Sequence, residues 1–173
     1  MNAPDYTALA ARIKDWGMKL GFAQVGIATT ELGDDETHLL NWLAQGRHGE
    51  MDYMQRHGTK RSRPGDLHPG TVRVISARMD YDPPGARDAW EVINDPALGY
   101  VSRYALGRDY HKLMRARLQK LADRVTNEIG PFGYRAFSDS APVLEKVGVL
   151  NAGLGWIGKH TNLIDRRAGS WFV

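Results

Sequence analysis

The sequence predicts an α/β (α+β) domain, a mixed sheet flanked by helices, and three observations carry that prediction. Stretches with apolar residues at three- and four-residue steps alternate with short stretches of period two. The 173 residues are 42% hydrophobic and 25% charged, the profile of one globular unit. No internal repeat, low-complexity tract or linker divides them, so residues 1–173 read as a single domain. A chain of this size buries about two thirds of its unfolded surface and needs no staple to hold its core.

The elements follow in order. Leu9, Ile13, Trp16 and Leu20 mark an amphipathic helix over residues 5–20, closed by Gly21. Phe22 to Ala28 alternates and carries Val25 and Ile27, which reads as a strand. Asp34 and Asp35 place negative charge where a second helix, His38 to Gln45, begins. Residues 46–70 are loops around one short helical stretch, with Arg56, His57, Lys60, Arg61 and Arg63 clustered as an anion-seeking group. Thr71 to Asp82 is a strand apolar enough to lie inside the sheet, stopped by Pro83, Pro84 and Gly85. A further strand is expected at Gly99 to Tyr104. Asp109 is placed to cap the longest helix, Tyr110 to Ile129, with a core stripe of Tyr110, Met114, Leu118, Leu121, Val125 and Ile129. Tyr134 to Asp139 reads as a short strand, and residues 139–150 as a helix with Pro142 in its first turn. The segments TNLID and GSWFV read as two closing strands.

Composition excludes whole classes of chemistry. With no cysteine, the chain holds no disulfide, thiolate zinc site, thiol nucleophile or cysteine-ligated iron-sulfur cluster. The six histidines lack the spacing of a zinc hydrolase, so no protein-ligated metal is expected. No serine sits in a nucleophile elbow. The apolar stretches fall short of the ~20 residues a membrane helix needs, and the start lacks a signal-peptide pattern, so a cytoplasmic protein without membrane contact is expected. A formal charge of +3 invites nucleic acid only mildly. More telling is residues 108–124, where six Lys or Arg face two Asp. A solvated charged face explains that stretch as well as a phosphate-binding one.

Two motifs carry alternatives. Gly153, Gly155 and Gly158 spell G-x-G-x-x-G, but a helix precedes them and a strand follows, the reverse of the dinucleotide-binding context, so close packing of a Gly-rich turn is the better reading. Asp139 sits between an apolar stretch and a Pro-containing helix start. It reads either as a helix N-cap or as a carboxyl held at a strand end to act as a general acid.

The segments SDSAPVLEK, NAGLGWIGKHTNLI and AGSWF, preceded in order by GFAQVGIA, HGEMDYMQRH, RSRPGDLHPGTVRVI and RYALGRDYHK, closely resemble the epoxyqueuosine reductase family. The resemblance runs from Leu20 to Phe172. It implies a nitroreductase-like, cobalamin-binding module of an enzyme that reduces epoxyqueuosine to queuosine at the wobble position of tRNA. In that family a ferredoxin-like domain with two iron-sulfur clusters follows. The chain stops before the cluster cysteines, so the resemblance implies the cobalamin portion alone. By motif, Asp139 corresponds to the family's proton donor, for which a raised pKa under an apolar ligand is expected. Arg61, Ser102, Tyr104, Lys159, Thr161, Asn162 and Leu163, with Asp139, lie in segments that resemble its cobalamin-contacting regions. His160 departs from the asparagine often found there. The electron donor is not implied. A non-catalytic cobalamin or flavin module is the alternative, and a plain RNA-binding domain a third.

Overall fold

The computed structural model describes residues 5–82 and 85–173. The Pro83-Pro84 strand stop lies outside the described residues.

Helix α1 (Tyr6–Lys19) starts at Asp5, whose carboxylate accepts from the backbone N–H groups of Thr7 and Ala8, both at 3.0 Å. It ends at Leu20, where Gly21 turns the chain with φ +89°. Strand β1 (Gln24–Ala28) follows and pairs antiparallel with β2 (Val74–Arg78), Val25 opposite Ala77 and Ile27 opposite Ile75. Two glycines set how closely the layers approach. A Cβ on Gly17 would lie 2.3 Å from Val25 Cγ2, and one on Gly26 would lie 2.4 Å from the Ala152 carbonyl oxygen. Helix α1 therefore crosses one face of β1, and the end of α6 (Glu145–Asn151) reaches the strand at Gly26.

Helix α2 (Asp34–Ala44) begins four residues earlier than its apolar pattern suggests, taking Asp34, Asp35 and Glu36 into its first turn, where the helix dipole favours negative charge. One turn, α3 (Pro64–Leu67), and two 3-10 turns make up residues 52–67. Helix α4 (Ala89–Ile93) is capped by Asp88.

Helix α5 (Tyr110–Ile129) has the bounds its pattern predicts, with Asp109 as its cap. Its stripe closes the core: Met114, Leu121 and Val125 are buried with Leu9, Ile13, Phe22 and Val25, while Tyr110 and Leu118 pack at the margin. Ile129, expected in that stripe, is exposed at the helix end.

The remaining strands are short. β3 (Trp156–Ile157) and β4 (Leu163–Ile164) form a hairpin, and the continuation of β2 exchanges backbone hydrogen bonds between Met79 and Val173. Thus β2 is joined to β1 and, beyond it, to the last residues, although Ile75 remains 36% exposed rather than interior. The stretches 99–104 and 134–139 are not strands. The first runs into a 3-10 turn (Arg103–Ala105) and the second has no regular structure and ends in a bend at Ser138 and Asp139. The sheets are accordingly two small antiparallel pairs within the α/β class.

Candidate functional site

Helix α6 starts at Glu145, not near Pro142, and its cap position is Leu144 without a side-chain hydrogen bond. Asp139 lies six residues upstream and caps nothing. Its backbone has φ +57°, a left-handed conformation uncommon outside glycine. Its carboxylate is exposed and gathers donors. Tyr110 donates its hydroxyl to Asp139 Oδ2 at 2.7 Å, and His111 Nε2 lies 3.2 Å from the same oxygen. The other imidazole nitrogen, Nδ1, lies 2.9 Å from Asp109 Oδ1. That hydrogen bond from the His111 side chain holds the Asp109 carboxyl below its ordinary value. So Asp109, the cap of α5, also orients the imidazole that faces Asp139.

On the other side, the Asp139 backbone N–H donates to Glu145 Oε1 at 3.2 Å. Burial, and then the neighbouring Asp139 carboxylate, push Glu145 up to about 7. Burial and the hydrogen bond to Asp139 also raise the Tyr110 phenol, so its hydroxyl stays a donor. Glu145 is thus a carboxyl of this cluster with a raised value. Glu145, Tyr110 and His111 escaped the sequence reading: a six-residue backward contact and a pairing across 29 positions leave no periodic signal.

An aromatic chain runs outward from this cluster. Tyr104 sits edge-on to Tyr110 and to Tyr81, and Tyr81 edge-on to Trp171, with ring centroids 6.1 to 6.2 Å apart. Tyr104 is 50% exposed, and Leu106 and Trp171 are exposed beside it in the sequence or the aromatic chain.

The other expected ligand residues divide into free and engaged groups. The side chains of Ser102, Lys159, Thr161 and Asn162 make no hydrogen bond or ion pair among the described residues. Leu163 opens β4 and is half-buried. Arg61 is largely spent: Nε donates to the Met54 carbonyl at 3.2 Å and Nη2 to that of Tyr53 at 2.9 Å. Arg63 is likewise paired with Glu36 at 2.8 Å. On α5, Arg117 donates to the Gly21 carbonyl at 2.7 Å and Arg124 to that of Trp16 at 3.5 Å, so part of the basic stretch fastens α5 to α1. The Gly-rich turn serves packing: a Cβ on Gly155 would lie 2.4 Å from the Ile164 carbonyl oxygen, and one on Gly158 2.6 Å from Ile164 Cδ1.

Exposed aromatic faces beside unpaired hydroxyl, amide and ammonium donors suit a large, flat ligand with polar side groups. The donor set fits a corrin better through Ser102, Lys159, Thr161 and Asn162 than through Arg61. What fold and site define is an α/β module that presents a hydrogen-bonded carboxyl cluster on an open, aromatic-edged face.

Comparison with known proteins narrows the class. The family model described as "Epoxyqueuosine reductase QueG, DUF1730" matches residues 61–140. The chain is 62% identical over 172 residues to an epoxyqueuosine reductase of Pseudomonas aeruginosa, covering 99% of this chain and 47% of that protein. Solved structures share the fold at 19% identity. One is an epoxyqueuosine reductase with an epoxyqueuosine-modified tRNA-Tyr stem loop, with TM-score 0.76 over 97% of this chain and 44% of that one. Another, from Bacillus subtilis, has its catalytic aspartate loop swung out of the active site, with TM-score 0.77 over 98% and 44%. The chain is similar over nearly its whole length to epoxyqueuosine reductases, and it spans about half the length of the curated relatives it matches.

Proposed function

We propose that this chain is the cobalamin-holding portion of an oxidoreductase that converts epoxyqueuosine to queuosine at the wobble position of tRNA, with residues 1–173 forming one domain and Asp139 as proton donor. The single observation that carries the reading is Asp139 itself. Within the family's SDSAP stretch, this residue has a strained backbone, caps no helix, and presents its carboxylate to an open face among Tyr110, His111 and Glu145. Strain held by surrounding contacts is the mark of a residue placed for function.

Bound cobalamin supplies the low-potential reducing chemistry, fed in the family by iron-sulfur clusters that this cysteine-free chain does not ligate. The chain's own residues do the rest. Ser102, Lys159, Thr161 and Asn162 offer donors to the polar groups of the corrin, Arg61 its remaining guanidinium N–H groups, and Tyr104 and Leu163 apolar contact. Asp139 delivers a proton to the oxygen leaving the epoxide. Tyr110 and His111 fix the carboxyl that does so, and Glu145 stands behind it as a protonated group at mildly acid pH. Arg108, Lys112 and Lys120 of the α5 region, together with Arg56 and Lys60, remain available for sequence-independent phosphate contacts with the RNA. Among the described residues no helix is long and apolar enough to cross a membrane, and a tRNA substrate supports a cytoplasmic setting.

Titration of the folded chain with cob(II)alamin tests the reading. The optical spectrum of the cofactor shifts on binding. An unchanged spectrum at about a millimolar ligand rules out a site in this chain, and a shift with flavin but none with cob(II)alamin favours the flavin-binding alternative.

A further inference from the structure

Three of the four segments that carry the residues assigned above are the loop ending at Arg61, the loop around Asp139, and the turn from Lys159 to Leu163; Ser102 and Tyr104 belong to the fourth. The three are far apart in sequence, yet each is tied to one of three consecutive residues at the start of α6. The Leu144 backbone N–H donates to the Arg61 carbonyl at 2.9 Å. Glu145 Oε1 accepts the Asp139 backbone N–H at 3.2 Å. Lys146 Nζ donates to the Thr161 carbonyl at 2.6 Å.

Two of those partners are unusual. Asp139 at φ +57° and Thr161 at φ +67° are the non-glycine residues with positive φ among the described residues. For a β-branched threonine this conformation is a true outlier, and it persists only where neighbours over-determine it. Each strained residue is held through its backbone by a neighbouring side chain, which leaves the Thr161 hydroxyl without a hydrogen bond among the described residues and the Asp139 carboxylate exposed beside Tyr110 and His111.

We infer that Leu144, Glu145 and Lys146 form the positioning element of the site, with Glu145 fixing the Asp139 loop and Lys146 fixing the Thr161 turn. The inference rests on the functional reading of those loops, but not on a bound cofactor. Neither residue touches substrate in this scheme: both act through the backbone they hold. The elevated Glu145 carboxyl agrees with a side chain drawn in close to Asp139. The ordinary alternative is that Glu145 and Lys146 merely stabilise the first turn of a short helix.

Hydrogen exchange read by mass spectrometry separates the two. In Glu145→Ala, peptides spanning residues 137–143 exchange about fivefold faster while those spanning 158–163 keep their rates, and Lys146→Met gives the converse, as expected for loss of one net hydrogen bond. Glu145→Gln retains an acceptor and Lys146→Arg a donor, so both restore the wild-type pattern. Unchanged loop exchange in Glu145→Ala and Lys146→Met overturns the inference. So does a variant that accelerates α6 and both loops together, whether by fraying or by global unfolding. Cob(II)alamin titration of the same proteins adds a second readout, with affinity weakened several-fold in the Ala and Met variants and kept in the Gln and Arg ones. If the wild-type chain leaves the cob(II)alamin spectrum unchanged, the cofactor reading falls alone, and the exchange pattern still decides the positioning role.

Discussion

Helices α5 and α6 solve the same problem in opposite ways. Helix α5 has 20 residues, an N-cap carboxylate and an apolar stripe that closes the core, so its stability comes from its own sequence. Helix α6 has seven residues, no side-chain cap, and one buried hydrophobic residue, Val147. Its opening groups are spent on neighbouring loops instead of on its own first turn. A helix of that length is marginal alone, so α6 and its loops hold one another. The contrast teaches where to look for function in this fold: the self-sufficient helix supplies a platform and two side chains, while the dependent one gathers the loops.

That contrast can be broken or sharpened by substitution. The largest effect is expected in the platform. Leu121 is 2% exposed, and Leu121→Ala costs about 3 kcal/mol through lost burial and a residual cavity. Denaturant unfolding measures this, and a cost under about 1 kcal/mol contradicts a core centred on α5. Next comes the site. In an enzyme carrying this chain, Asp139→Asn keeps size and hydrogen bonding but removes the acidic proton, so single-turnover reduction falls about 100-fold while cob(II)alamin affinity holds. A rate near wild type removes Asp139 from the chemistry.

A smaller effect belongs to the cap of α1. Asp5→Ala loses the carboxylate that accepts from two backbone N–H groups and costs about 1 kcal/mol, seen as faster exchange in α1, with the loops around Asp139 and Thr161 untouched. Coupled loosening of those loops would mean that platform and site are not separable. The smallest effect is a pH slope. Glu145, at about 7 in the folded chain against an ordinary 4.5, contributes stability that is full below 4.5 and is lost as pH rises through about 7. Thermal melts across that window show a declining midpoint that flattens in Glu145→Gln, and an identical slope in both proteins assigns the titration elsewhere.

What the sequence disclosed follows the same division. Helix α5 was legible to the residue because Asp109 and a period-3.6 stripe coincide. Helix α1 and β1 were legible for similar reasons, within two residues. The stretches 99–104 and 134–139 misled because a strand needs a pairing partner, which no local pattern contains. Asp139 was singled out through its motif, but the groups around it were not. Tyr110 reads as the first residue of a core stripe, His111 as a surface histidine and Glu145 as part of an ordinary helix. Their convergence on one carboxyl is a product of tertiary structure alone. The basic clusters were legible as charge and misleading as a free surface, since Arg61, Arg63, Arg117 and Arg124 turned out to be fasteners.

Gly26 gives this architecture a remote control point. The strand carrying it lies under the far end of α6, where the Ala152 carbonyl leaves no room for a methyl group. Adding one carbon there would push on a short lever whose other end is Leu144, Glu145 and Lys146. The displacement would reach three loops at once, without altering any residue that meets a ligand. Any side chain at Gly26 has to displace the Ala152 backbone, so β1 keeps a glycine there as long as the end of α6 stays where it is.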